Sequence, residues 1–521
     1  MRDWNPFVVC VCGTLFATFL SFVVHTFVLP SGVPVGLEWT GRRLEFLGDI
    51  RACLREYTAG MTTILSGYKR FSLNGKPFIM PGTGFKTEVM LPPEHIKWVV
   101  DQPEDILSHQ QFQAEKVGVK YFLPGFDLYS PIAAVEALRL HLTRSLGKIQ
   151  GDLVDELRHS VDAQLGVDEE WKEVNLHNTI NDIVFKTSGR VFFGKTLARN
   201  DKFMYHLTNV STWFGAGMLL IGQLCPWQLR RVLGFLFSIP IHYHRSICTR
   251  YLLPYFVERL NNMQRKRQDP SFEYSPPEDL ITWTYRAAFD MKDGQMDSEK
   301  DTVKKFTTLV AGAIASSTVG ASNVILDLIS SDPQENYYHL LREECDSAFQ
   351  TGEDWNSSAT LLKLHRLDST IREGLRRSPA ILRGLSRMVM PKEGVTLPSG
   401  QRLPQGCMIG FPVPAIHTDS RYYDEPDVYN PFRFLPTKST PRSMIVTTSQ
   451  TFLPFGHARH SCPGRWFASH SLKLILSYII INYDIEPLKE RPLNIIMGDI
   501  AFPPPGATIR LRRRERRATQ S

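Results

Sequence analysis

The segment Thr451–Trp466 reads Thr-Phe-Leu-Pro-Phe-Gly-His-Ala-Arg-His-Ser-Cys-Pro-Gly-Arg-Trp and sets one cysteine among residues suited to a metal site. Pro454 and Gly456 form turns, His457, Arg459 and His460 are basic, and Pro463 opens an amphipathic run over Arg465–Ile481. Cys462 therefore stands just ahead of a helix N-terminus. The positive end of the helix dipole and unpaired N–H groups there favour thiolate over thiol, and a thiolate ligates metal. The same residue as a buried thiol would only pack.

Two helical stretches carry further chemistry. Ser298–Ser330 reads as one long helix, about 50 Å if continuous. Inside it, Ala311-Gly312-Ala313-Ile314-Ala315-Ser316-Ser317-Thr318 combines small residues with three hydroxyls. In Leu367–Arg376, Glu373 and Arg376 lie three apart and share a face. Taken alone, such a pair on a surface contributes only ~0.3–0.5 kcal/mol.

Haem iron is one acceptor that fits the cysteine, since thiolate ligation pushes electron density onto the metal and nearby cations could hold propionates. Phe455, Cys462, Pro463 and Gly464 match the haem-binding loop of the cytochrome P450 superfamily, and the chain resembles its fungal, membrane-anchored, secondary-metabolism members. Two positions depart: Ala458 stands where glycine is usual, which suggests a backbone adjustment, and His460 stands where many relatives carry arginine. Lys76-Pro77-Phe78, the wording Trp171–Leu176 and Arg190–Gly194, and the Glu373/Arg376 helix extend the resemblance over nearly everything after residue 36.

The resemblance implies a mainly α fold with a small β-sheet lobe. It also implies roles: Cys462 as axial ligand of haem b, Phe455 in the cofactor loop, His460 and Arg387 as propionate partners, and Glu373, Arg376 and Arg433 as a buried structural triad. His141 and Arg144 fall near where relatives contact a propionate. Ser316 takes the place of the oxygen-side threonine when the helix is counted back from Asp327-Leu328, whereas reading Ala311-Gly312 as the opening pair puts Ala315 there. Neither placement supplies a titratable group, so proton delivery would fall to Ser316, Ser317, Thr318, water or substrate.

Phe7–Leu29 is a nearly uninterrupted apolar run of bilayer-crossing length. The expected organisation is an anchor over 1–29, a Pro/Gly hinge over 30–36 and a catalytic domain over 37–521. Arg42, Arg43, Arg51 and Arg55 put that domain on the cytosolic side, as for a single-pass protein of the endoplasmic reticulum. The eight cysteines show no paired or zinc-type spacing, which agrees with a reducing compartment. Sixty basic against 53 acidic side chains give +7, without any nucleic-acid-binding signature.

A hairpin is expected within Phe71–Met80, a surface loop over Gln264–Pro277, strands at Leu385–Val389 and Val395–Pro398, and a last hairpin with a basic tail over Ile509–Arg517. The apolar segment Phe203–Ile239 would roof a substrate chamber. By resemblance the activity is oxygen-dependent monooxygenation of a lipophilic small molecule, such as a terpenoid or polyketide, with NADPH electrons from a cytochrome P450 reductase. Two other readings stand beside it: a haem-thiolate ring expansion, desaturation or coupling, and a haem-binding protein without catalysis.

Overall fold

The computed structural model describes residues 13–14, 16–17, 19–21, 34, 36–123, 133–290, 297–438 and 441–515. The expected anchor over 1–29 and hinge over 30–36 therefore lie outside the described residues, apart from helical positions scattered between 13 and 21 and residues 34 and 36.

Helices dominate. The longer ones are α1 Gly48–Arg70, α2 His109–Val117, α3 Thr143–Leu165, α4 Leu176–Phe193, α5 Asp201–Ala216, α6 Arg230–Gln268, α7 Leu280–Asp290, α8 Glu299–Ile329, α9 Tyr337–Ala348, α10 His365–Arg377 and α11 Arg465–Asn482. The long helix expected over Ser298–Ser330 is α8, whose Ser298 side chain caps it by accepting from the Asp301 N–H at 3.2 Å. Its length and apolar composition would suit a bilayer, yet most of its apolar stretch is buried inside the protein.

Twelve short strands accompany the helices among the described residues. Five form one sheet in the order β1 Phe78–Met80, β2 Glu88–Met90, β8 Met408–Pro412, β5 Arg383–Val389 and β3 Leu107–Ser108, with only β2 and β8 parallel. A second sheet sets β12 Thr508–Arg513 between β4 Lys172–Asn175 and β9 Tyr483–Ile485. Two ribbons complete the lobe: β10 Ile495–Met497 with β11 Ile500–Phe502, and β6 Val395–Thr396 with β7 Arg402–Leu403. The register between β5 and β8 shifts between Gly384 and Arg387, where Leu385 takes a positive φ of 51°. Such a bulge re-aims the side chains beyond it, and Arg387 is the residue re-aimed.

Three expectations need correction. No hairpin forms inside Phe71–Met80: Ser72–Asn74 closes as a 3₁₀ turn against the left-handed Gly75, and β1 pairs with β2 across a longer connection. Helix α6 runs to Gln268, because Arg265, Lys266 and Arg267 in its last turn complement the helix dipole and extend it into the expected loop. The C-terminal hairpin is β10–β11, whereas β12 enters a sheet with distant partners, and residues 516 and 517 of the expected basic tail lie outside the described residues.

A buried ionic cluster ties α1 and α2 to β2, β5 and the turn between β10 and β11. Arg383 reaches Glu56 of α1 at 3.1 Å, Glu88 of β2 at 3.5 Å and Asp499 at 2.8 Å, and Lys116 reaches Asp499 at 2.5 Å and also contacts Glu88. Burial outweighs the pull of Arg383 on Glu56 and lifts its carboxyl from 4.5 to about 7. Between those two values the unfolded chain releases this proton while the folded chain keeps it, so stability falls as pH rises through the window. Glu56→Gln removes the titration. The expected result is that the wild type loses ~3 kcal/mol relative to that variant between about pH 4.5 and 7, read as diverging urea midpoints; parallel midpoints would refute it.

Candidate active site

Two left-handed residues shape the cysteine loop, Gly456 with φ +68° and Ala458 with φ +57°. Glycine adopts this conformation freely, while alanine does so at a cost of ~1 kcal/mol. The backbone adjustment expected at Ala458 does not occur; the chain keeps the left-handed turn and bears the strain. Phe455 is half-buried and packs on the main core, and its carbonyl accepts from the Cys462 N–H at 2.7 Å, which closes the loop. Helix α11 then starts at Arg465, with Gly464 before it.

Cys462 is exposed to solvent, although protein atoms crowd around its thiol. The sequence placed it where a helix N-terminus favours thiolate. In the structure burial is the larger effect and raises the thiol, opposed by the N–H groups of Gly464 and Arg465 and by the charge of Arg465. A bound cation would have to supply the remaining stabilisation of the anion.

Helix α8 supplies a second accessible surface. Gly312, Ala313 and Ser316 are exposed although most of the helix around them is buried. Their spacing puts them on one face. A β-carbon on Gly312 would stand 3.5 Å from the Phe214 ring of α5, and Phe214 meets Phe122 edge-on at 5.9 Å. Ser316 Oγ donates to the Ala313 carbonyl at 3.1 Å, whereas Thr318 is buried and its hydroxyl donates to Asn181 of α4 at 3.4 Å. Only the first of these two hydroxyls belongs to the accessible face. Helix α8 packs on both α10 and α11.

Arg387 is 1% exposed, and its Nε and Nη2 have no hydrogen-bond partner. Its Nη1 lies 3.3 Å from His109 Nδ1, and the His109 ring packs on His460 with centroids 4.8 Å apart. His460 Nε2 meets Glu104 at 2.9 Å, and burial with Arg387 nearby lowers its pKa to about 4. Burial also lowers Arg387 to about 10, so its guanidinium still carries charge at neutral pH. Loose buried guanidinium donors beside neutral imidazoles make a site that seeks an anion. His109 escaped the sequence reading. Its signal was Ser108, which caps α2 by accepting from the Gln111 N–H at 3.0 Å and so fixes the histidine at the helix start. His141 and Arg144 do not join this cluster through any hydrogen bond or ion pair described; His141 feels Arg286, Asp290 and Glu278 around α7, and Arg144 is exposed.

Glu373 and Arg376 come together with Arg433. Arg376 Nε and Nη2 each lie 2.8 Å from the Glu373 carboxylate, both side chains are 0% exposed, and Arg433 Nε approaches at 3.2 Å. Arg376 also donates to the His417 carbonyl at 2.5 Å. His417, fully buried and driven down to about 3 by that burial, donates from Nδ1 to the Arg376 carbonyl at 2.9 Å and accepts the Leu453 N–H on Nε2 at 3.1 Å. A neutral imidazole thus couples α10 to the strand of chain that enters the cysteine loop.

The family model for cytochrome P450 matches residues 138–511. The chain belongs to the cytochrome P450 family. It is 34% identical to cytochrome P450 monooxygenase polB of Polytolypa hystricis, with 97% of this chain and 98% of that protein aligned. Cytochrome P450 monooxygenase lnaC of Aspergillus flavus is 34% identical over 97% of this chain and 96% of its own length, and nodZ of Hypoxylon pulicicidum is 33% identical over 90% of each. The crystal structure of the cytochrome P450DA heme domain superposes with a TM-score of 0.66 at 14% identity, covering 93% of this chain and 99% of that one, which shows the shared fold. With relatives of this kind the chain is a cytochrome P450 monooxygenase, and the non-catalytic reading falls away. P450 enzymes carry haem held by a thiolate. The donor set here fits that group: an accessible cysteine sulfur, unpartnered guanidinium donors at Arg387 and an accessible small-residue face on α8.

Proposed function

We propose that this P450 inserts one atom of dioxygen into a lipophilic small molecule of the terpenoid or polyketide kind, with NADPH electrons delivered by a membrane-bound reductase. The observation that carries the reading is the pairing of an accessible Cys462 with the accessible Gly312, Ala313 and Ser316 on α8, a helix mostly buried around them and packed against α11. Cys462 would hold the iron of haem b as thiolate, with Phe455 fixing the loop, and Arg387, His460 and His109 would take the propionates. Haem, when bound, supplies the oxygen-activating chemistry. The chain supplies position, water exclusion and protons. Ser316 Oγ, with a lone pair left over after its bond to Ala313, can hold a water and pass a proton from it. Phe214 and Phe122 give the chamber an apolar wall suited to a greasy substrate.

The same reading takes 1–29 as a single membrane anchor, 30–36 as hinge and 37–521 as catalytic domain on the cytosolic face of the endoplasmic reticulum. An apolar outer face on α6 supports it: Val232, Phe235, Leu236 and Ile239 follow helical spacing and each is more than half exposed. Nothing in the site calls for nucleic acid.

Turnover of lipophilic host metabolites under labelled dioxygen tests the proposal. The expected product carries one labelled oxygen and needs both NADPH and reductase; product formed without them would sink it. Ser316→Ala is expected to lower product per NADPH by ~10²-fold, with hydrogen peroxide released instead. Thr318→Ala should leave that ratio unchanged, since its hydroxyl serves Asn181. A second reading, a haem-thiolate ring expansion, desaturation or coupling, is favoured by the lack of a titratable side chain at Ala315. It predicts product without the label.

A further inference from the structure

Helices α5 and α6 run antiparallel in a fixed register, with Trp213 against Phe237 at 5.8 Å and Phe203 against Tyr251 at 5.8 Å between ring centroids. The same register brings His206 opposite His244, with Nδ1 facing Nδ1 at 2.8 Å. Both rings are half-buried, tilted by 46°, and flanked by Tyr205 and Tyr243 at 5.3 and 5.1 Å. Two neutral imidazoles meet in this way only when one carries its proton on Nδ1 and the other offers its Nδ1 lone pair. One proton thus bridges two inward-facing donors.

We propose that His206 and His244 form a two-histidine chelate for a divalent transition-metal ion, zinc foremost, which fastens α5 to α6. The ring holding its proton on Nδ1 shifts that proton to Nε2, and the ion takes both lone pairs. Tetrahedral zinc with bonds of ~2.0–2.1 Å needs the two nitrogens ~3.3 Å apart, so the rings part by only about 0.5 Å. Imidazole pairs suit zinc, copper and nickel. Among the described residues no cluster of three or more histidine, cysteine, aspartate or glutamate side chains forms, so water from the exposed side fills the other positions. His242, two residues before His244 on α6, falls on a different face of the helix, and the Arg245 guanidinium takes its Nδ1 at 2.9 Å. The charge acting on His244 besides burial is that of His206 itself.

The placement gives the ion a consequence. Phe214, two turns along α5 from His206, is the ring that stands over Gly312 on the accessible face of α8. A metal clasp between α5 and α6 therefore restrains one wall of the substrate chamber.

The test is calorimetric titration of tag-free, haem-loaded enzyme with zinc chloride after dialysis against chelator. The expected result is one ion per chain, with affinity reduced at least ~10-fold in both His206→Gln and His244→Gln, because loss of a ligand costs no less than loss of a supporting contact. The surface pair His339–Glu343, 3.1 Å apart, is the competing site. His339→Gln should leave the titration unchanged. Haem absorbance equal to wild type establishes that the variants are folded. Zinc binding that survives both α5 and α6 substitutions, that disappears with His339→Gln, or that is absent from the wild type overturns the proposal.

Discussion

Cys462→Ser is expected to erase the thiolate-type Soret band of the reduced, carbon monoxide-bound protein and to bring turnover down to the level without enzyme. Serine keeps the size of the side chain and the N–H bond from residue 462 to the Phe455 carbonyl, so the loop survives while its soft donor is lost. No other described cysteine can replace it. All five are buried: burial raises Cys53 to about 11 and Cys248, Cys345 and Cys407 to about 12, and it raises Cys225 as well, which keeps them as inert thiols away from the loop. Cys53→Ser and Cys407→Ser should accordingly leave the spectrum untouched. A Cys462→Ser protein that kept the band would mean that another side chain holds the iron.

The parts of this site legible in the sequence are those whose partners lie close along the chain. Cys462 and Phe455 sit in one turn, Glu373 and Arg376 lie one helical turn apart, and the small-residue run of α8 declares its own accessible face. The Arg387–His109 contact is different in kind. It depends on a bulge that shifts the β5–β8 register and on a left-handed Leu385, and no local preference of leucine announces that conformation. The Arg383 cluster was hidden for a similar reason, since its carboxylates come from α1, β2 and the turn at Asp499. At Ala458 sequence reasoning failed in the opposite sense. It let residue preference decide the backbone, while the bonds from Cys462 to Phe455 and from Ser461 to Ala458 hold the turn left-handed. The hairpin expected near Gly75 fell to the same kind of tertiary override, because β1 finds a better partner in β2.

Glu373→Ala is expected to cost ~3–5 kcal/mol, a large share of the ~5–15 kcal/mol that holds a typical domain together. Removing the carboxylate leaves Arg376, with no exposed surface, and the nearly buried Arg433 facing each other without a counter-ion. Their remaining bonds, from Arg376 to the carbonyls of His417 and Pro426 at 2.5 and 2.8 Å and from Arg433 to those of Asp424, of Glu425 at 3.1 Å and of Val428 at 3.0 Å, are to neutral acceptors and cannot offset two uncompensated charges. Arg376→Lys should fall between this variant and wild type, since an ammonium cannot repeat the two parallel bonds of a guanidinium. The damage should spread to the cofactor loop through His417, which accepts the Leu453 N–H and donates to the Arg376 carbonyl. Haem retention should therefore fall together with the thermal midpoint in Glu373→Ala, while Glu94→Ala, removing an exposed carboxylate 3.6 Å from Arg421, changes neither. Were Glu373→Ala to melt with the wild type and keep its haem, the buried pair would have to be a bystander, and the coupling of α10 to the cysteine loop would need another carrier.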